Sequence, residues 1–230
     1  MRFLQALESF ERNKRMAVIP DIKCRSPKEG ELLAGRDPVR LAHVFADAGA
    51  PALSVVTEKK SFGGSLSMLS RIAESTGLPV LRKDFIRTVR QVGASAEAGA
   101  SAVLLIVSML GKERLGALLE ACAAEGLDAL VEVHTSEEIN AAAAFEPALI
   151  GINNRDILRL ECDGGTVRTT AELASLIPYK PYIVSESGIA AQDEAQSAAK
   201  AGARAILVGT ALLKAADAAE TYRKLSVNLP

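Results

Sequence analysis

Tryptophan is absent, and phenylalanine and tyrosine bring the aromatic share to only 4%. A chain so poor in rings offers no platform for stacking nucleic-acid bases. Charge of neither sign is in excess, with 27 Lys plus Arg against 28 Asp plus Glu and a net charge of -1. That balance gives no general attraction to nucleic acid or to an anionic membrane surface. No apolar run approaches the roughly 20 residues of a membrane span. The opening stretch, MRFLQALESFERNKRMAV, interleaves charges where a secretory signal would be continuously apolar. Cys24, Cys122 and Cys162 are scattered without a CxxC pair, which points to reduced thiols in the cytoplasm rather than a disulfide framework. HExxH and Cys/His clusters are missing, so no metal is expected. The GxGxxG dinucleotide turn and the GxSxG serine elbow are missing as well.

What the chain does have is alternation. Short apolar runs predict strands at Ala17–Lys23, Ala52–Val56, Pro79–Lys83, Ala102–Val107, Ala129–Val133, Leu149–Asn153, Tyr182–Glu186 and Ala205–Val208. Alanine-rich segments between and after them predict helices at Pro38–Ala48, Ser65–Ser75, Val89–Ala98, Lys112–Ala124, Ser136–Ala143, Thr169–Leu176, Gln192–Ala201 and Ala211–Lys224. The strands are too uniformly apolar for a one-sided antiparallel sheet and read as parallel strands covered on both faces. One phrase recurs where helix hands over to strand: ADAGAPALSVV from Ala46, AEAGASAVLLIV from Ala96, AAEGLDALVEV from Ala123 and AKAGARAILVG from Ala199. Its glycine can end a helix in the left-handed conformation before a buried strand begins. Eight such strand–helix pairs in 230 residues favour one α/β domain spanning residues 1–230, a (β/α)8 (TIM) barrel, with residues 1–16 as a short N-terminal extension. The alternative architecture is an open doubly wound sheet, whose glycine fingerprint is the one missing here.

In a (β/α)8 barrel the chemistry lies at the C-terminal strand ends and in the loops beyond them. Ionisable residues gather there. Asp21 and Lys23 end the first strand, Glu58 follows the second, and Lys83 and Asp84 end the third. Glu132 lies on the fifth, Asn153 and Arg155 on the sixth, and Glu186 with Ser187 on the seventh. Residues two apart on a strand share a face, so Asp21 and Lys23 can point together, as can Asn153 and Arg155. Structural ion pairs are the competing reading of any one of these groups. Burying so many charges together rarely serves stability alone. Ser187-Gly188-Ile189 after the seventh strand and Gly209-Thr210 after the eighth can present backbone N–H groups to a phosphate, with Ser26 after the first strand adding a hydroxyl. His43 is read as a helix residue, and His134, just past Glu132, as standing outside the site.

These segments resemble a known family. IKCRSP (Ile22–Pro27), TEKKSFGGS (Thr57–Ser65), LRKDF (Leu81–Phe85), LLIV (Leu104–Val107), LVEVH (Leu130–His134), GINNRD (Gly151–Asp156) and SESGI (Ser185–Ile189) are similar, in order, to the signature segments of indole-3-glycerol phosphate synthases. The resemblance implies a carboxy-lyase of tryptophan biosynthesis without metal or organic cofactor. It would convert 1-(2-carboxyphenylamino)-1-deoxyribulose 5-phosphate to indole-3-glycerol phosphate, carbon dioxide and water. Its partners would be that sugar-phosphate substrate and other tryptophan-pathway enzymes, with neither nucleic acid nor membrane. Ring closure needs a cationic proton donor at the ketone, and the later loss of a hydroxyl and a proton needs a second acid and a carboxylate base. By resemblance Lys83 is the acid at the ketone, held by Glu186. Lys23 binds the substrate carboxylate and serves the dehydration, Glu132 is the base, and Asn153 positions hydroxyls. Ser26, Arg155, Ser187, Gly188, Gly209 and Thr210 line the phosphate and ribulose end, and Phe85 packs on the anthranilate ring.

Two features depart from the family pattern. Asp21, preceded by Pro20, stands where members carry glutamate, a retraction of roughly 1.5 Å on a scale where about 100-fold in rate can be lost. Only sixteen residues precede the first strand, where members usually carry a longer leading helix over the barrel mouth, so substrate cover is expected to be weaker or supplied differently. The departures leave room for a diverged paralogue acting on a related sugar phosphate, or for a non-catalytic phosphate-ligand binder. Phosphoribosylanthranilate isomerase is a further sugar-phosphate barrel of this kind, but its chemistry usually rests on a Cys or Asp pair rather than on two strand-end lysines.

Overall fold

A computed structural model describes residues 2–155 and 165–230; Asp156, the last residue of the GINNRD segment, and Cys162 lie outside the described residues. Eight parallel strands close into a barrel. They are β1 (Ala17–Ile22), β4 (Leu53–Val56), β5 (Val80–Lys83), β6 (Ala102–Ile106), β7 (Asp128–Val133), β8 (Leu149–Asn153), β9 (Tyr182–Glu186) and β10 (Ala205–Val208). Each pairs with its neighbours in chain order, and β1 closes the ring by pairing with both β4 and β10. Two short antiparallel strands, β2 (Arg25–Ser26) and β3 (Gly30–Glu31), form a hairpin in the loop after β1.

The helices between strands are α2 (Pro38–Asp47), α3 (Leu66–Thr76), α4 (Val89–Glu97), α6 (Lys112–Ala124), α7 (Ser136–Ala143), α8 (Arg168–Ala174) and α9 (Gln192–Lys200), with a single turn, α5 (Val107–Leu110), before α6. Their starts follow from side chains that take up otherwise unpaired backbone donors. Asp37 accepts from Val39 N with Pro38 in the first turn, and Thr88 forms a reciprocal capping box with Gln91. The outward strand residues Val18, Val55, Val80 and Ile206 pack beneath α2, α3 and α9, while Val103, Leu105, Val131 and Ile150 pack beneath α4, α6 and α7.

The strands expected from the sequence are present to within a residue or two. Three local differences have physical causes. Val107 opens the turn α5 rather than ending its strand. The helix expected at Ala211–Lys224 is divided into α10 (Thr210–Lys214) and α11 (Ala218–Leu225). Ala215 is extended at φ -65° and ψ 141°, and the Asp217 carboxylate then caps a new helix by accepting from Glu220 N at 2.8 Å. The N-terminal extension contains α1 (Phe3–Arg12), whose buried stripe Phe3, Ala6 and Leu7 has helical spacing. Leu4 N donates to the Asp128 carboxylate at the start of β7, and the Tyr182 hydroxyl at the start of β9 donates to Leu7 O. This helix therefore closes the N-terminal end of the barrel, away from the strand ends expected to carry chemistry. It adds core and no substrate cover.

Candidate active site

The inward face of each strand changes character along its length, with the two-residue period of a pleated strand. Near the bottom it is apolar: Ala17 and Ile19, Leu81, Leu104, Leu130, Leu149, Val184 and Leu207 form one buried cluster with Phe3 and Leu7. One or two steps up the same faces come Asp21 and Lys23, Lys83, Glu132, Gly151 and Asn153, Glu186, and Gly209. Asp21, Lys23, Glu132, Asn153 and Glu186 are all at most 3% exposed, and Lys83 is buried beside them. So dense a set of buried ionisable groups is stable only if its members compensate one another's charge.

Gly151 explains how two glutamates fit side by side. It is paired in register with Glu132 on β7 and with Val184 on β9. A Cβ built on it would overlap Glu186 Oε1 and come within 3.3 Å of Leu130 Cδ1. The missing side chain is the space into which the Glu186 carboxyl folds. Two carboxyls this close cannot easily both ionise, and their surroundings separate them. Burial opposes charge on Glu132, but His134 and Lys83 beside it bring its carboxyl below the usual range. Burial, then Glu132, and also Asp21 push Glu186 well above it, against the pull of Lys83. Asp21 is fixed from the neighbouring strand, its Oδ1 accepting the Ser54 hydroxyl at 2.6 Å.

Above this layer opens a cavity of about 360 Å³. Asp21, Lys23 and Lys83 form its floor, Arg155 and Ser187-Gly188 one wall, and Gly209-Thr210 the other. Ser187 (φ 64°) and Gly188 (φ 68°) both take the left-handed conformation, a tight turn that lays their backbone along the cavity wall. A Cβ on Gly188 would lie 2.6 Å from Gly165 O, so the position has no room for a side chain. Arg155 Nε is buried and finds no hydrogen-bond partner among the described residues. The backbone wall and the unpaired guanidinium nitrogen suit an anion. On its other side Lys83 borders a small apolar hollow with Phe62, Phe85, Leu104 and Ile106. One lysine thus stands between a polar cavity and an apolar one.

Not every expected residue joins the site. Ser26 is buried, but its hydroxyl accepts from Glu29 N at 3.1 Å inside the hairpin and does not line the cavity. The Glu58 carboxylate accepts from Lys60, Ser61 and Phe62 N and shapes its loop. Asp84 is an ion-pair partner of Arg82 at 2.8 Å and takes the Thr57 hydroxyl at 2.6 Å. Glu58 and Asp84 also line the hollow beside Phe62 and Phe85, with their carboxylates taken up by these local partners.

Two other residues matter more than the sequence suggested. Asn154 binds the Ser185 hydroxyl and Ser187 O and receives Thr170 N and its hydroxyl, bracing the backbone that turns into Gly188. His134, expected outside the site, places Nε2 3.2 Å from Glu132 Oε1. Its position two residues after Glu132 on one strand face was the available signal. Among the described residues no group of three or more His, Cys, Asp or Glu is arranged to hold a metal, and no helix is long and apolar enough to cross a membrane.

Residues 1–225 match the protein family described as indole-3-glycerol phosphate synthase. An indole-3-glycerol phosphate synthase from Thermococcus kodakarensis is 46% identical over 96% of this chain and 95% of its own length. One from Pyrococcus furiosus is 45% identical over 94% of each, and one from Oceanobacillus iheyensis is 39% identical over 93% of this chain and 81% of its own. Among solved structures, an N-acetylmannosamine-6-phosphate 2-epimerase from Clostridium perfringens superimposes with a TM-score of 0.67 at 17% identity, covering 85% of this chain and 86% of that one. An orotidine 5'-phosphate decarboxylase from Pyrococcus horikoshii superimposes with a TM-score of 0.66 at 16% identity, covering 90% and 96%. At such identities the structural likenesses establish the barrel alone.

Proposed function

We propose, from the premise that this chain belongs to the indole-3-glycerol phosphate synthase family and is a carboxy-lyase of tryptophan biosynthesis, a division of labour among its strand-end residues. The substrate phosphate sits against Ser187, Gly188, Gly209 and Thr210 with Arg155 beside it, and the anthranilate ring reaches the apolar hollow at Phe85. Lys83, bordering both cavities, then faces the ketone that must become electrophilic. It donates a proton to that oxygen as the aromatic carbon attacks, with Glu186 beside it. Lys23 binds the anthranilate carboxylate, which leaves as carbon dioxide to restore aromaticity. Asp21 and Lys23 then serve departure of the hydroxyl, Glu132 takes the last proton, and Asn153 orients hydroxyls of the chain. Ser26, which does not line the cavity, shapes the hairpin after β1 through Glu29.

The observation that carries this reading is the position of Lys83, buried at a strand end and bordering both the polar cavity and the hollow at Phe62 and Phe85. A proton donor there reaches a ketone held between an anchored phosphate and an apolar ring, and Glu132, brought below the usual carboxylate range by His134 and Lys83 against its burial, is suited to take a proton afterwards. The scattered thiols, of which Cys24 and Cys122 are free, support a reducing cytoplasmic setting, and the enzymes before and after it in the pathway are the protein partners to test. Glu132→Gln tests the assignment of the base. In a single turnover it should release carbon dioxide while indole fluorescence lags far behind. Carbon dioxide and indole delayed equally would remove Glu132 from the later steps.

A further inference from the structure

The neighbours of the base include one residue that the reaction scheme leaves without work. His134 follows Glu132 by two positions at the end of β7, so both side chains leave the strand on one face. Its imidazole lies between two carboxylates. Nε2 is 3.2 Å from Glu132 Oε1, and Nδ1 is 3.1 Å from Glu138 Oε2. Glu138 Oε2 also accepts the backbone N–H of His134 at 2.8 Å. Glu138 is itself anchored, since it stands in the first turn of α7 and its N–H donates to the Thr135 hydroxyl. The ring is therefore fixed from the helix side and turned toward the barrel. Its side chain is 10% exposed, that of Glu138 16% and that of Glu132 0%. The Nε2 contact is charge proximity, because neither Glu132 oxygen makes an aligned hydrogen bond among the described residues.

We propose that His134, held by Glu138, is a positioning residue for the base: its imidazole, 3.2 Å from Glu132 Oε1, fixes where that carboxylate lies and sets its environment apart from that of Glu186. The proposal rests on the reading of Glu132 as the base. Without His134 the bias between the two adjacent buried carboxyls would come from Lys83, which acts on both, from Asn153 at Glu132 and from Asp21 at Glu186. His134 also acts on Glu186, but there it is the last of the causes, whereas at Glu132 it stands 3.2 Å away and is the leading favourable one, and Glu138 holds it from the outside. Burial disfavours its charge, but Glu132 and Glu138 more than offset this and raise it to about 10, so it is a cation throughout the neutral range. The groups that set the balance are Lys83 from β5, Asn153 from β8, Glu186 from β9, Asp21 from β1 and Glu138 from α7.

The test is the pH profile of His134→Ala, His134→Asn and Glu138→Gln, each measured as kcat and KM on the native substrate. Loss of the cation should move the acid limb of kcat/KM to higher pH by about 1–3 units. At neutral pH, where that shift alone costs little, loss of the fixed carboxylate position should lower kcat on the order of tenfold or more while KM changes little. Added imidazole should restore part of the rate to His134→Ala. Glu138→Gln, which keeps the shape and the acceptor but removes the outer charge, should show a smaller shift in the same direction. It provides the readout if the alanine variant does not fold. An acid limb unmoved in a folded variant, or a uniform loss that imidazole does not relieve, would overturn the proposal while leaving Glu132 as the base. Glu132→Gln with the parent's turnover would remove the base itself, and the proposal with it.

Discussion

Replacing Gly151 with alanine adds one methyl group to a buried position that does not line the cavity. Its backbone is not among the left-handed glycines, so alanine is conformationally acceptable, and the loss of unfolded-state freedom contributes about 0.4–1 kcal/mol in favour of folding. Against this, the new Cβ overlaps Glu186 Oε1 and comes within 3.2 Å of Glu186 Cδ and 3.3 Å of Leu130 Cδ1. Relieving such an overlap costs about 1–3 kcal/mol. The net destabilisation should therefore not exceed about 3 kcal/mol, leaving a folded enzyme. The functional consequence is larger. To reach an ordinary contact distance the Glu186 carboxyl must move by about 1 Å, and displacement on that scale can cost about 100-fold in rate. The assay is kcat/KM by indole fluorescence with a thermal melt on the same samples, repeated for Glu186→Gln and for the double variant. If the methyl acts by displacing the carboxylate, Gly151→Ala should add little to Glu186→Gln, because the two then remove one interaction. A folded Gly151→Ala with the parent's kcat/KM would refute the reasoning, and strictly additive losses would show that the damage spreads by another route.

Three further outcomes are expected. Lys83→Ala should lower kcat by about 100- to 10,000-fold and also lower the melting temperature, because a buried cation that acts on Glu132 and Glu186 is removed; activity close to the parent's in the folded variant would remove Lys83 from ring closure. Inorganic sulfate or phosphate should compete with substrate and bind against Gly188 and Gly209-Thr210, and Arg155→Ala should raise KM more than it lowers kcat, since phosphate binding is largely common to ground and transition states. An anion elsewhere on the barrel top, with this cavity empty, would contradict the placement. Asp21→Glu should slow the reaction, because the longer side chain leaves the Ser54 hydroxyl that now holds Oδ1 at 2.6 Å and crowds Lys23 across the cavity floor; a faster variant would mean that Asp21 is only a shortened glutamate.

The barrel was legible because its signal is repeated: each helix end, glycine and apolar strand states the same unit again. Lys83, Glu132 and Glu186 were legible because a charge inside an apolar strand is costly unless paired or used. What escaped depends on contacts across strands. Gly151 reads as an ordinary strand glycine until Glu186 from the next strand is seen occupying its side-chain space. His134 could not be weighed without Glu138, which reaches it from a helix whose orientation the strand pattern does not set. Glu58 and Asp84 stand at strand ends like the others, but local backbone N–H groups and Arg82 take up their charge. The short N-terminal segment was expected to leave substrate cover weaker or supplied differently, but its own place was not legible: the buried stripe of α1 fits the apolar lower face of the barrel, where Leu4 and Leu7 find polar partners on β7 and β9.

The most direct test of the central claim is a pair of clocks on one reaction. The protein is mixed in excess with 1-(2-carboxyphenylamino)-1-deoxyribulose 5-phosphate, and carbon dioxide and indole fluorescence are followed together in the parent, Lys83→Ala and Glu132→Gln. The account predicts one carbon dioxide per indole in the parent, neither signal in Lys83→Ala, and carbon dioxide running ahead of indole in Glu132→Gln. Indole formed at the parent's rate by both variants would show that the strand-end constellation does not carry the chemistry.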